Sequence, residues 1–294
     1  MPPAPPNFLW RKRARSQWLE ANESRLQVAT AGTHSVVEQL GRAQVSVEVF
    51  CATRRAAEQL KGEFGGAIEE LPADWQAQFF AAHRTKPLRI GKRLWVMGDA
   101  TELGPTAPHS ALIIPAGAAF GTGEHATTAM SLRLLERISR GRTAGWRMLD
   151  AGTGSGVLAL AGKRFGAGPV LAIDNDRTAI STARENARTN AITGVKFIVG
   201  DVQRDLAAGT FDIITANLYS ELLESVLSRF RASLAPAGAL ILSGVLRAQE
   251  PKLTRALRTN EFRVVEARRR GKWIALLASS LLSPAPDPDL ARDR

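Results

Sequence analysis

The 294-residue chain has a single cysteine, Cys51, a single tyrosine, Tyr219, and only four histidines, His34, His83, His109 and His125. One cysteine excludes an internal disulfide, and the scattered histidines give no Cys/His zinc spacing, so no metal is expected. No run approaches the roughly 20 apolar residues that a membrane-spanning helix requires. The start, Met1-Pro-Pro-Ala-Pro-Pro6, has no apolar stretch ahead of the bases at 11–15. A secretory signal is therefore not expected, and the reading is a cytoplasmic protein with no membrane partner. With 45% hydrophobic and 23% charged residues the composition is neither collagen-like nor wholly disordered. The length suits two domains.

Acidic residues are also in short supply: 28 Asp and Glu against 39 Lys and Arg, a net charge of +11. The excess is concentrated. Residues 1–15 hold Arg11, Lys12, Arg13 and Arg15 with no acid, and 247–272 holds nine bases against Glu250, Glu261 and Glu266. Such segments attract an anionic partner, RNA being the obvious class, or serve as a solvated arm and a solvated helix face.

Along the chain, residues 1–16 are Pro-rich and basic and read as a disordered arm, as do 281–294 with Pro284, Pro286 and Pro288. Residues 17–71 read as a small α/β domain, with strands at Arg25–Thr30, Val45–Phe50 and Ala67–Glu70 and a helix at Thr53–Lys61. Residues 72–110 read as a linker with a bridging helix at Pro72–Thr85 that carries Trp75, Phe79 and Phe80, then a strand at Arg93–Met97. From 111 to 280 strands and helices alternate. Strands are expected at Arg147–Leu149, Pro169–Ile173, Val195–Val199, Phe211–Ala216, Ala239–Ser243, Arg263–Ala267 and Trp273–Ala278, with helices at Val157–Phe165, Thr178–Asn190, Ser220–Ser233 and Gln249–Arg258. That alternation predicts an α/β fold: a mostly parallel sheet covered on both faces, binding ligands outside the carboxyl ends of its strands.

The sharpest motif is Asp150-Ala-Gly152-Thr-Gly154-Ser-Gly156-Val-Leu-Ala159, between a strand and a helix. Glycines at alternate positions let backbone approach a ligand where any Cβ would collide. Gly154 to Ala159 also fits the G-x-G-x-x-A dinucleotide fingerprint, which keeps an NAD-dependent oxidoreductase in view. Asp150 speaks against a pyrophosphate there and suits a cationic ligand end, such as the amino group of S-adenosylmethionine. Asp174, 22 residues after Gly152, lies at the end of the next strand, where an acid accepts ribose hydroxyls of either ligand. Asp176 reads as the cap of the following helix. Gly200-Asp201-Val202, ending the third strand, stands where an adenine amino group is read or is a solvent-facing turn.

Ahead of the sheet comes Ala119-Phe120-Gly-Thr-Gly123-Glu-His125-Ala-Thr127-Thr128, and a later strand ends in Ala216-Asn217-Leu218-Tyr219. With the glycine loop and the Asp174 strand, these blocks resemble the ribosomal protein L11 methyltransferases, the PrmA family, over roughly Trp75 to Leu277. The resemblance implies a class I, Rossmann-like, seven-stranded S-adenosylmethionine-dependent methyltransferase domain behind a small N-terminal α/β substrate-recognition domain. It implies N-methylation of amino groups, lysine or N-terminal, of a large-subunit ribosomal protein. By motif position Thr128, Gly152, Asp174 and Asn217 are implied cofactor contacts, with Phe120 bordering the site. Before Pro72 little of the family pattern is matched, and the basic arm is no part of it. Other substrates, another protein or ribosomal RNA, therefore stay open.

Two residues are candidates for chemistry. Asn217 can offer its side-chain carbonyl to an amine hydrogen, and His125 is the one histidine inside a motif, with proton acceptance, cofactor contact and plain packing all open. Asn217-Leu-Tyr-Ser220 lacks the prolines of the Asn/Asp-Pro-Pro-aromatic sequence with which base-methylating enzymes hold a flipped base, which argues against that chemistry.

Overall fold

The structure, a computed structural model, describes residues 8–30, 35–38, 44–72, 87–99, 111–115, 125–206 and 210–281. The chain divides into two units, Met1–Arg84 and Thr85–Arg294. The expected helix at 72–85, Phe120 and the tail beyond Leu281 lie outside the described residues.

The first unit is a four-stranded antiparallel sheet in the order β2-β3-β1-β4, built from β1 (Phe8–Arg15), β2 (Ser35–Glu38), β3 (Gln44–Cys51) and β4 (Ala67–Glu70), with helices α1 (Ser16–Ala29) and α2 (Arg54–Phe64). Two expectations are corrected here. The basic segment read as a disordered arm is β1, which pairs along its whole length with β3, Phe8 opposite Cys51 through Arg15 opposite Gln44, and on its other side with β4. Strand pairing uses the backbone alone, so the side chains are free to be cationic where the sheet is open. Trp10 enters the core while Leu9, on the other face of the strand, is also buried; Trp10 Nε1 donates to the Gly65 carbonyl at 2.9 Å, Arg11 pairs with Glu48 and Glu69, and Lys12 lies over the Trp18 ring. Arg25–Thr30, read as a strand, is the end of α1. A strand would put Leu26 and Val28 on one face; the helix buries Leu26 completely and leaves Val28 83% exposed. In α2, Thr53 caps the first turn by accepting from the Ala56 N–H, and Ala57, Leu60 and Phe64 face the core with Trp10, Val47 and Val49.

The second unit carries a seven-stranded sheet. Its strands are β8 (Met148–Ala151), β9 (Val170–Asp174), β10 (Val195–Val199), β11 (Phe211–Asn217), β12 (Leu234–Leu246), β13 (Phe262–Arg270) and β14 (Trp273–Ser280), in the order β10-β9-β8-β11-β12-β14-β13. The first five are parallel; β14 runs antiparallel between β12 and β13. Before it stand β5 (Leu88–Ile90), β6 (Leu94–Met97) and β7 (Ala111–Ile113), a small separate sheet. Neighbouring residues of each central strand go to opposite cores. Met148, Ile213, Ile241 and Leu277 pack with α3 (Ala126–Ser139) and α4 (Val157–Arg164). Leu149, Ile214, Leu242 and Leu276 pack with α6 (Ser220–Ser233) and α7 (Glu250–Thr259). Between them in sequence lies α5 (Arg177–Thr189), capped by the Asp176 carboxylate accepting from the Thr178 N–H at 2.7 Å, as expected. Strand order reverses between β8 and β11, which opens a crevice at their carboxyl ends. Among the described residues no helix is long and apolar enough to cross a membrane.

Candidate active site

That crevice holds a cavity of about 490 Å³, within the range of small-molecule sites. Thr128, Gly152, Gly154, Asp174, Asp201 and Asn217 all line it, as does His125. Residues as far apart in sequence as His125 and Asn217 meet there because the parallel strands end at the same edge of the sheet.

The glycine loop is held from below. The Gly152 and Thr153 N–H groups both donate to the Ile173 carbonyl, at 2.9 and 3.0 Å, and the Gly154 N–H donates to Asp174 Oδ2 at 2.9 Å. Asp174 Oδ1 also accepts from the Asp176 N–H. The Asp174 carboxylate thus sits at the end of β9 with the glycine turn fastened to it. Asp201 follows β10, its Oδ1 accepting from the Gln203 N–H at 2.8 Å.

Two expected cofactor contacts are not brought to the cavity. Asp150 is fully buried beneath the loop. Its Oδ2 accepts from Thr153 Oγ1 at 2.6 Å and from the Ala159 N–H, and its Oδ1 accepts from Thr215 Oγ1 at 2.6 Å. Both oxygens are spent inside the protein, so the carboxylate ties β8, β11, the loop and α4 together instead of meeting a ligand. Burial pushes its pKa up to about 6, against three hydrogen bonds that favour the charge, while the nearby Asp174 adds a smaller upward push. Gly156 is the second correction. A Cβ there would lie 3.0 Å from Ala183 Cβ, and its φ is +83°, so this glycine lets α4 and α5 meet. The spacing of the three glycines could not distinguish backbone near a ligand from backbone near a helix.

Thr128, on the first turn of α3, is 1% exposed, and Asn217 Nδ2 lies 3.5 Å from its Oγ1. Asn217 Oδ1 is buried with no hydrogen-bond partner among the described residues. An unpaired buried carbonyl costs free energy, and Asn217 is among the residues that line the cavity. His125 Nδ1 is 2.7 Å from Thr127 Oγ1, and its ring meets Trp273 edge-on with centroids 4.8 Å apart. Burial, and then the Lys272 ammonium, hold the imidazole below the ordinary histidine range, so it is neutral at neutral pH.

The sequence reading missed Asn175, Leu222, Gly244 and Trp273, which also line the cavity. Gly244 has φ +88°, and a Cβ would come within 2.4 Å of the Leu218 carbonyl oxygen, so only glycine lets the Asn217 loop pass. Trp273 begins β14. No local pattern marks it, because it reaches the site only through the antiparallel insertion of β14 beside β12. Tyr219 is also among the lining residues and is 61% exposed, so its side chain is not packed in the core.

Comparison with known proteins agrees with this geometry. Residues 12–280 match the family described as ribosomal protein L11 methyltransferase (PrmA). The chain is 38% identical over 218 residues to the ribosomal protein L11 methyltransferase of Symbiobacterium thermophilum, covering 72% of this chain and 70% of that one. It is 37% identical over 236 residues to the protein of that name from Deinococcus radiodurans, covering 77% and 83%. A crystal structure of ribosomal protein L11 methylase from Lactobacillus delbrueckii subsp. bulgaricus superimposes with a TM-score of 0.60 at 30% identity, over 67% of this chain and 99% of that one. The match starts inside β1 and runs to the end of β14, so it takes in the segment before Pro72 that motif reading could not place: the chain belongs to the ribosomal protein L11 methyltransferase (PrmA) family.

Proposed function

We propose that this chain transfers methyl groups from S-adenosylmethionine to amino groups of ribosomal protein L11, in the cytoplasm. The observation that carries the reading is the buried, unpartnered Asn217 Oδ1 at the edge of the cavity, in a family of methyltransferases. When bound, S-adenosylmethionine supplies a methyl group on a sulfonium, open to in-line attack. The residues present fit that group: Asp174 offers a charged acceptor for ribose hydroxyls, the Gly152–Gly154 backbone leaves room for close approach, and Asp201 and Thr128 supply polar edges.

The protein's remaining task is to present a neutral amine. At pH 7 about one lysine in 10³ is neutral, whereas an N-terminal amine with a reference pKa of about 7.7 to 8.0 is closer to ready. Leu218, Leu222, Val157 and Trp273 make the wall largely apolar, which disfavours the ammonium and lowers its pKa. Asn217 Oδ1 accepts one amine hydrogen and so aims the lone pair. His125, neutral and packed on Trp273, completes the wall without adding a cation that would repel the substrate. Alignment in a dry site is the main source of rate. Of the late basic segment, Lys252, Arg268 and Arg269 are paired with Glu224, Glu266 and Glu250 and Arg263 donates to Ser279 Oγ, and the exposed Arg255 and Arg258 are where RNA accompanying the substrate would be met.

The test is to titrate the chain with S-adenosylhomocysteine and with NAD, then to incubate it with labelled methyl donor and either L11 or ribosomal subunits, separating protein from RNA. Binding of S-adenosylhomocysteine alone and label in L11 are expected. Label in RNA, or binding of NAD alone, would overturn the reading.

A further inference from the structure

Two buried asparagines on α5 and just beyond it do not touch the cavity, yet they hold what brackets it. Asn186 and Asn190 are 4% and 7% exposed and lie four residues apart, hence on one face of the helix. Asn186 Nδ2 donates to the Ser155 carbonyl, in the middle of the glycine loop, at 2.8 Å. One turn later Asn190 Oδ1 accepts from the Ile113 N–H and Asn190 Nδ2 donates to the Ile113 carbonyl, both at 2.7 Å. The side-chain amide thereby treats the last residue of β7 as a neighbouring strand would, meeting both of its polar backbone groups. The two asparagines are themselves joined, since Asn190 Nδ2 also donates to the Asn186 carbonyl at 2.8 Å. The Arg164 guanidinium fixes the backbone of Asn190 by donating to its carbonyl at 3.0 Å.

Leu112 of β7 and Ile114 just after it pack in one core with Leu132 and Leu135 of α3, whose first turn, Thr127 and Thr128, lines the cavity, so β7 backs one wall and the glycine loop forms another. We propose that Asn186 and Asn190 are positioning residues that act as one strut, setting the glycine loop and the end of β7 against each other for cofactor binding. An apolar residue of the same size would remove the bond to the Ser155 carbonyl, or the bonds to both part-buried backbone groups of Ile113. Primary amides suit the role because each offers a donor and an acceptor in fixed geometry. The inference rests on the cavity's being the S-adenosylmethionine site.

The test uses the full chain and its Asn186→Ala, Asn190→Ala and doubly substituted variants. The affinity for S-adenosylhomocysteine is measured by calorimetry, and kcat and KM by methylation of L11. Each single substitution is expected to raise Kd and the KM for S-adenosylmethionine about tenfold while kcat at saturating cofactor stays within about twofold. The double variant should raise Kd by clearly less than the product of the singles, because a strut released at one end no longer transmits from the other. Asn190→Gln guards against a failure to fold: it keeps the amide donor and acceptor on a longer stem and should raise Kd about threefold. Folded variants with a lower melting temperature but parental Kd and KM overturn the inference, as do strictly multiplicative effects. A parent chain that binds no S-adenosylhomocysteine overturns the functional reading and this inference with it.

Discussion

The two units solve the same problem, burying strands, in opposite ways. In the second unit the central strands are covered on both faces, so β8 is buried at every position, β11 nearly so, and β12 throughout Leu240–Ser243. In the first unit the sheet is covered on one face: along β3, Val45, Val47, Val49 and Cys51 are buried while the residues between them are not. A strand buried on both sides must read as an apolar run, and a strand with one open face is free to carry charge. That is why the second unit announced itself and the first hid its central strand among four cations.

The comparison breaks most visibly if β1 is removed. Deleting residues 8–15 takes a strand from between β3 and β4 and with it Trp10, the largest fully buried side chain among the described residues. Methylation of L11 is expected to fall by about 100-fold or more, the cost of losing alignment of the target, while the calorimetric Kd for S-adenosylhomocysteine stays parental. A deletion variant that methylates L11 at the full rate would show that the first unit does not choose the substrate.

Within the second unit, the acceptor side and the cofactor side should separate. Asn217→Ala is expected to lower kcat/KM for L11 about 100-fold with a change in S-adenosylhomocysteine affinity within about threefold, since alignment and not binding is lost. Equal losses in both would move Asn217 to the cofactor. Asp174→Ala should do the reverse and weaken cofactor affinity by about 1.5 to 3 kcal/mol, roughly 10- to 150-fold. Calorimetry on the folded variant decides it, and parental affinity would take Asp174 out of the site.

The smallest effect concerns the internal carboxylate of Asp150. Its pKa is about 6 in the folded chain and about 3.9 unfolded, so between these values the folded state binds more protons. Its contribution is therefore fully present below about pH 4 and lost as pH rises through about 6, by up to roughly 3 kcal/mol. Asp150→Asn keeps an acceptor for Thr153 and the Ala159 N–H and has no charge to bury. The difference in denaturant-unfolding free energy, parent minus Asp150→Asn, should fall as pH is raised from 4 to 7; a flat difference would mean that the carboxylate does not titrate there.

Much of the site was legible because its chemistry is local. Gly152, Gly154, Asp174 and Asp201 follow strands whose ends the hydrophobic pattern marks, and Asp176 caps a helix as its position implies. What misled was orientation. Asp150 and Gly156 stand in the same motif as Gly152 and Gly154, but one side chain turns under the loop and the other position meets Ala183, and a one-dimensional spacing carries no sign for in or out.

The sequence by itself determined the α/β alternation, the strand ends that converge on one edge, and the residue types available there, because periodic burial and turn chemistry act over a few residues. Only the tertiary structure decided that a cationic segment lies inside the small sheet, that Trp273 and Gly244 reach the cavity, and that Asn186 and Asn190 bond the glycine loop and the end of β7. Those outcomes depend on which strand lies beside which, and strand order is set by packing across the whole sheet.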